Sequence, residues 1–324
     1  MKTIQEMLQE LSQCIVTVSG EFRFRTNWKG GGGKVPQPDL DTFDPNVPFC
    51  IENVGDVSAS VQYNTNNTNI RISKDYKTWN DYTSGTEIEL NPTDRVYIKS
   101  DYVKDTGSSP RFVFNGDGAR LRARGNIASL IYGTNDTYVN KYTSTEAYCY
   151  HYMFYNCKSL TQAPELPATT LASQCYQGMF SHCTSLTQAP ELSAMTLVDW
   201  CYQGMFNGCI SLTQTPELSA TTLANSCYDM MFYGCKKLNY VKCLATDTSA
   251  TNCTKKWLYN VSSTGTFECD NKKYFTIDSH NGIPVGWTIT EINPDPPTPP
   301  EPEKPDLDTF DPNVPFCIEN VGDV

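Results

Sequence analysis

Cys149, Cys175, Cys201, Cys227 and Cys253 recur at intervals of 26 residues, and Cys157, Cys183, Cys209 and Cys235 follow the first four at a distance of eight. Thiols in that number and order could hold a metal, form disulfides or act as nucleophiles. A metal site asks for close C-x₂₋₄-C pairs, which the chain lacks, and His151 and His182 stand at different positions of the repeat. A disulfide needs Cα atoms within about 7 Å. Two cysteines eight apart on one helix are separated by roughly 12 Å of rise, and equivalent cysteines on stacked helices lie about 8–10 Å apart. Reduced cysteine packs as a small hydrophobe. The nine cysteines are therefore expected to form a buried structural ladder, with no metal and no cofactor.

Other chemistry is thinly represented. G-x-S-x-G, H-E-x-x-H and Walker patterns are absent, and His280 lies among turn residues near the end of the repeats. Ser73, Asp75, Thr78 and Trp79 in "SKDYKTW" are similar to the Asp-box hairpin of sialidases, one residue short and without the usual glycine. That box is a fold element away from catalysis, so no enzyme is expected and no catalytic residue is assigned. Binding is the alternative. Thr161, Gln162, Thr187, Gln188, Thr213 and Gln214 recur as uncharged polar groups on the extended side of each unit, and Tyr176, Tyr202 and Tyr228 are a second set. Such groups suit a glycan, and they would equally keep a strand face soluble. "ARLRARGNI" sets Arg120, Arg122 and Arg124 on one side of a strand, as a solvated face or as a contact for an acidic partner.

Each set needs an element to hold it. Within one unit, Cys, Met and Cys at i, i+4 and i+8 suggest one helix face, with the pair Thr169-Thr170 as an N-cap before Leu171. Asn156, His182, Gly208 and Gly234 precede the second cysteine and suit a left-handed residue where a helix stops. "SLTQAPELP" then reads as extended, Pro164 and Pro167 excluding further helix. In the fifth unit Trp257 and Val261 replace Met and the second Cys, as a terminal cap would. A strict period in this range predicts a solenoid of helix, turn and short strand.

"CYQGMFSHCTSLTQAPEL", "ELPATTLA", "KCLATD" and "GIPVGWTI" resemble the BspA-like leucine-rich-repeat proteins of Bacteroides-type gut bacteria and their phages, over roughly residues 111–290. The resemblance implies a surface adhesin or virion fibre component that binds and does not catalyse.

The expected organisation is multi-domain α+β. Residues 1–29 form a helix–hairpin anchor, with Ile4, Met7, Leu8 and Leu11 as a helical stripe and a hairpin around Ser19-Gly20. Residues 30–46 are a Gly/Pro linker, 47–135 a β-sandwich-like module, and 136–290 the leucine-rich-repeat solenoid with its cap. Residues 291–313 are a proline-rich, stiff linker, and 314–324 start a second β-module. "PDLDTFDPNVPFCIENVGDV" occurs at 38–57 and again at 305–324. Either another module pair follows, which is favoured, or this end is donated to a neighbouring subunit.

A net charge of −11 disfavours nucleic acid, no apolar window suits membrane insertion, and no secretion signal opens the chain. The expected protein is a non-enzymatic component of a phage fibre or appendage. It would dock other virion proteins through its N-terminal segment, assemble as a homo-oligomer (a trimer being plausible) and meet a host surface glycan or protein. A bacterial cell-surface adhesin is the alternative.

Overall fold

The computed structural model describes residues 38–132 apart from 39, 41 and 101–109, and residues 143–293, together with the backbone of β1 (Ile15–Val18) and β2 (Glu21–Phe24). β1 and β2 pair antiparallel with Val18 opposite Glu21, the hairpin expected around Ser19-Gly20. The expected N-terminal helix, both linkers for most of their length and the second copy of the β-module lie outside the described residues.

The described residues between 47 and 132 form eight strands: β3 (Phe49–Asn53), β4 (Ala59–Asn64), β5 (Ile70–Ser73), β6 (Asn80–Tyr82), β7 (Ile88–Leu90), β8 (Arg95–Ser100), β9 (Arg111–Asn115) and β10 (Leu121–Arg124). β7 and β9 show why, with alternate residues buried and exposed as a half-covered strand requires. β7-β4-β9 form one sheet and β10-β3-β8-β5-β6 lie in another. The two share a core in which the Phe49 and Tyr63 rings lie 5.3 and 4.7 Å from that of Phe112. A short helix, α1 (Ser129–Tyr132), is tied to this core through the buried Ser129 hydroxyl, which accepts from the Phe49 amide and donates to the Ile98 carbonyl. In the β5–β6 turn, Asp75 accepts from the Thr78 and Lys77 amides at 2.7 and 2.8 Å, and these bonds hold its carboxyl well below the usual carboxylate range. The Asp-box-like motif is thus spent on a turn.

The repeats correct the expected architecture. Among the described residues the only α-helix is α1, outside the repeats, with a 3₁₀ turn at Lys272–Tyr274. No helix-and-strand unit of leucine-rich-repeat type forms, and the α+β solenoid expected for 136–290 is overturned. Tyr148, Tyr152 and Asn156 have positive φ, as do Gln174, Gly178 and His182 and their equivalents in the later units. This left-handed residue at every fourth position replaces helix by a run of tight turns. The amides of Cys149, His151, Met153, Tyr155 and Cys157 bond three residues back within their own unit. Those of Tyr148, Tyr150, Tyr152, Phe154 and Asn156 bond instead to Ser173, Cys175, Gln177, Met179 and Ser181 of the next unit. The alternation continues to Gly234, whose amide bonds to Tyr259.

An α-helix could not do this, because its interior amides are all consumed four residues back. The spacing of four carried the ambiguity. On an α-helix i and i+8 differ by about 80° around the axis, whereas a four-residue turn repeat returns Cys, Met and Cys to one face. Thr169 and Thr170 cap no helix. Their amides donate to the Thr143 carbonyl of the preceding unit.

The stacked units bury two aromatic columns. Phe154, Phe180, Phe206 and Phe232 lie parallel with centroids 5.5, 5.6 and 5.5 Å apart. Tyr150, Tyr176, Tyr202 and Tyr228 form the second column. Each ring is nearly fully buried. Such pairs add about 0.5–1.5 kcal/mol each beyond burial. The β-module caps one end: Phe112 stacks on Phe154 at 5.1 Å, and β10 pairs in parallel with β11 (Leu160–Gln162), Leu121 opposite Leu160. At the other end Trp257 stacks on Tyr228 and is covered by Phe275. There β12 (Tyr240–Cys243), β13 (Thr266–Cys269) and β14 (Thr288–Glu291) make a parallel sheet.

Candidate binding cleft

The cysteine ladder is chemically closed. All twelve described cysteines are free and buried, Cys149, Cys175, Cys201, Cys227 and Cys253 in one row and Cys157, Cys183, Cys209 and Cys235 in the other. The thiols of Cys183, Cys209 and Cys235 donate to the Phe154, Phe180 and Phe206 carbonyls of the preceding units at 3.0, 3.1 and 3.1 Å. Burial pushes the Cys175 thiol up to about 11 and that of Cys209 to about 12. Nucleophiles and metal ligands are thiolates, and these groups stay protonated at neutral pH. The argument that two cysteines on one helix are too far apart to pair falls with the helix. What the structure supplies in its place is a buried packing position for each sulfur and a hydrogen bond to a backbone carbonyl for those of Cys157, Cys183, Cys209, Cys235 and Cys253. No group of three or more His, Cys, Asp or Glu side chains is placed to hold a metal among the described residues.

Histidines contribute no shared site. Burial lowers the affinity of His151 for a proton, with the Arg111 charge second. His182 stands edge-on to Tyr155, and His280 lies 3.6 Å from Asp278. Tyr176, Tyr202 and Tyr228 are each almost completely buried, so they present no ring to a ligand.

The polar residues and the arginines come together in a way their separate positions in the chain do not announce. Parallel pairing of β10 with β11 lays the arginine strand against the first repeat. Between them opens a cleft of about 630 Å³ lined by Arg120 and Arg122, by Thr161 and Gln162, and by Thr187 and Gln188 of the second unit. Val54, Ser185 and Ser211 complete the lining. These last three escaped the sequence reading, and so did Glu52, which organises one wall. Thr213 and Gln214 are exposed one unit further on and do not line the cleft. Arg124 also lies elsewhere, donating to the Leu40 carbonyl at 2.7 Å.

Glu52 is opposite Arg95 on one side and Arg122 on the other. It is only 7% exposed, and its carboxylate meets the Arg95 guanidinium at 2.8 Å and that of Arg122 at 3.1 Å. Both carboxylate oxygens are thereby engaged, while the Nε of Arg122 is buried with no hydrogen-bond partner. Gly55 lets the chain close up here, since a Cβ on it would lie 3.0 Å from the Arg120 amide nitrogen. Thr161 spends its hydroxyl on the Leu121 carbonyl at 3.0 Å. At the far end of the same face, Lys242 lies between Glu217 and Glu268 at 3.0 and 3.2 Å.

No family model, no curated protein and no solved structure matches this chain. The likeness to BspA-like proteins therefore rests on the motifs themselves.

Proposed function

We propose that the chain is a non-enzymatic structural and adhesive component of a bacteriophage fibre or appendage, presenting this cleft to a host surface. The observation that carries the reading is the division of labour in the repeats. Every described thiol is buried and free, whereas the solvent-facing wall between β10 and the first two units gathers hydroxyl, amide and guanidinium groups into one cleft. Such a surface supports a reading of binding.

The free thiols also bear on where the protein is made. Reduced cysteine at this density suits assembly in a reducing cytosol, as for a particle released by lysis, better than export through an oxidising compartment. The 20-residue segment that occurs at both 38–57 and 305–324 fits modules strung in series. A bacterial cell-surface adhesin is the second reading, favoured by the cleft but not by the thiols.

Immunogold electron microscopy of lysed and unlysed host cultures, with antibody raised against residues 143–293, tests this. Gold on phage particles is expected. Gold confined to cell envelopes would transfer the proposal to the adhesin, and gold on neither would overturn both.

A further inference from the structure

We propose that the cleft between β10 and the first two repeats takes a carboxylate-bearing saccharide, with Arg120 receiving the carboxylate and Gln162, Thr187 and Gln188 receiving ring hydroxyls. The inference rests on the adhesive reading and adds the class of ligand.

Several features of the cleft lead there. Its volume of about 630 Å³ falls within the range of small-molecule sites. Its cations are unevenly committed: Arg122 is held by Glu52, but the exposed Arg120 has no side-chain partner among the described residues. No carboxylate is among the residues that line the cleft, and Glu52, which pairs with the lining Arg122, is already engaged by Arg95 and Arg122 and does not compete for Arg120. A guanidinium fork is matched to a carboxylate in a bidentate geometry.

The amides divide in the same manner. Away from the cleft, glutamine side chains are tied to one another: Gln174 donates to Gln177, Gln177 to Gln203, and Gln203 to Asp229, at 2.9, 2.5 and 2.9 Å. In the cleft, Gln162 and Gln188 make no side-chain hydrogen bond to any described residue, and neither does the hydroxyl of Thr187. A Gln amide offers both donors and an acceptor, which matches a hydroxyl that needs both. No aromatic ring lines the cleft, so recognition falls to charge and hydrogen bonding, with no stacking on sugar faces. An acidic sugar uses both kinds of group at once.

The test uses the full chain on an array of neutral, carboxylated and sulfated glycans, followed by calorimetry with the best carboxylated oligosaccharide and its carboxyl-reduced counterpart. Selective binding of carboxylated glycans is expected, with a loss of tenfold or more on carboxyl reduction. Arg120→Gln should reproduce that loss with an unchanged melting temperature, since its side chain is exposed and unpaired. Gln188→Ala should weaken the acidic and the reduced ligand alike. Binding of neutral or sulfated glycans in preference to carboxylated ones, or carboxylate binding that survives Arg120→Gln, overturns the inference while leaving an adhesive protein. No glycan binding, with host-cell attachment unaffected by Arg120→Gln and Gln188→Ala together, overturns the cleft as the site.

Discussion

Coupling along the phenylalanine column is the sharpest physical consequence of the stacked turns. Phe206 lies between Phe180 and Phe232 with nearly parallel rings, at interplanar angles of 11° and 3°, and all three are fully buried. Replacing Phe by Leu keeps an apolar side chain but loses the ring, so Phe206→Leu and Phe232→Leu should each cost on the order of 1–3 kcal/mol, Phe206→Leu more because it loses two stacked contacts. Part of each loss is the shared ring–ring contact, which is removed by either change. A double-mutant cycle should therefore show a coupling of about 0.5–1.5 kcal/mol between 206 and 232. Phe154 and Phe232 sit at opposite ends of the column, with Phe180 and Phe206 between them. Their coupling should stay within about 0.3–0.5 kcal/mol of zero. The measurement is urea unfolding under reducing conditions, with circular dichroism and tryptophan fluorescence required to give coincident transitions. Equal coupling for the adjacent and the distant pair, or none for either, would refute the claim that rings one unit apart stabilise one another directly.

Other outcomes follow from particular residues. With twelve of fourteen cysteines buried, native protein at about pH 8 should react with a thiol reagent at no more than the two remaining positions, Cys14 and Cys317, and the others should appear only on unfolding; rapid labelling of further thiols would show an open ladder. Because the folded carboxyl of Asp75 lies below its ordinary value of 3.8, its contribution to stability is present above that value and is lost as pH falls below it. Asp75→Asn should thus lower the urea midpoint at about pH 6, and the gap to the parent protein should narrow progressively as the pH falls below 3.8 towards the folded value; a gap that stays constant below 3.8 would contradict this. Gly204 and Gly125 share a positive φ, but a Cβ on Gly204 meets nothing within 4 Å whereas one on Gly125 collides with the Pro48 carbonyl oxygen. Gly204→Ala should cost about 1–2 kcal/mol of backbone strain and Gly125→Ala clearly more, as compared by thermal melting.

Much of this was legible from residue types, and what was not has physical reasons. The 26-residue period, the buried Cys–Met–Cys face and the left-handed position at Asn156, His182, Gly208 and Gly234 could all be read directly. Most of the remaining left-handed positions could not: Gly178 and Gly204 apart, those of the first four units are occupied by Tyr148, Tyr152, Gln174, Trp200, Ser226 and Met230, which do not advertise positive φ as glycine does. Each costs on the order of 1–3 kcal/mol locally and is sustained by the amides that bond to the next unit. Since local preference does not favour these conformations, a helix was the natural expectation. The cleft was half legible. Its Thr-Gln pairs and arginines each stood out, but the pairing of Leu121 with Leu160 joins residues with no local signal relating them. Glu52 reads as an ordinary strand residue until Arg95 and Arg122 fall opposite it.

The equivalence of the rungs has a consequence for how such a gene can change. Removing residues 175–200 would bring Tyr150, Phe154 and Asn156 against Cys201, Met205 and Asn207, and the Cys209 thiol against the Phe154 carbonyl. The backbone, thiol and stacked-ring contacts between units would keep their kind, the β-module and Trp257 would still close the two ends, and Thr213 and Gln214 would move into the places of Thr187 and Gln188. Unequal recombination between copies can therefore lengthen or shorten the rod one rung at a time, and loss of this unit would keep a second Thr-Gln pair in the cleft while setting Lys237 in the place of Ser211.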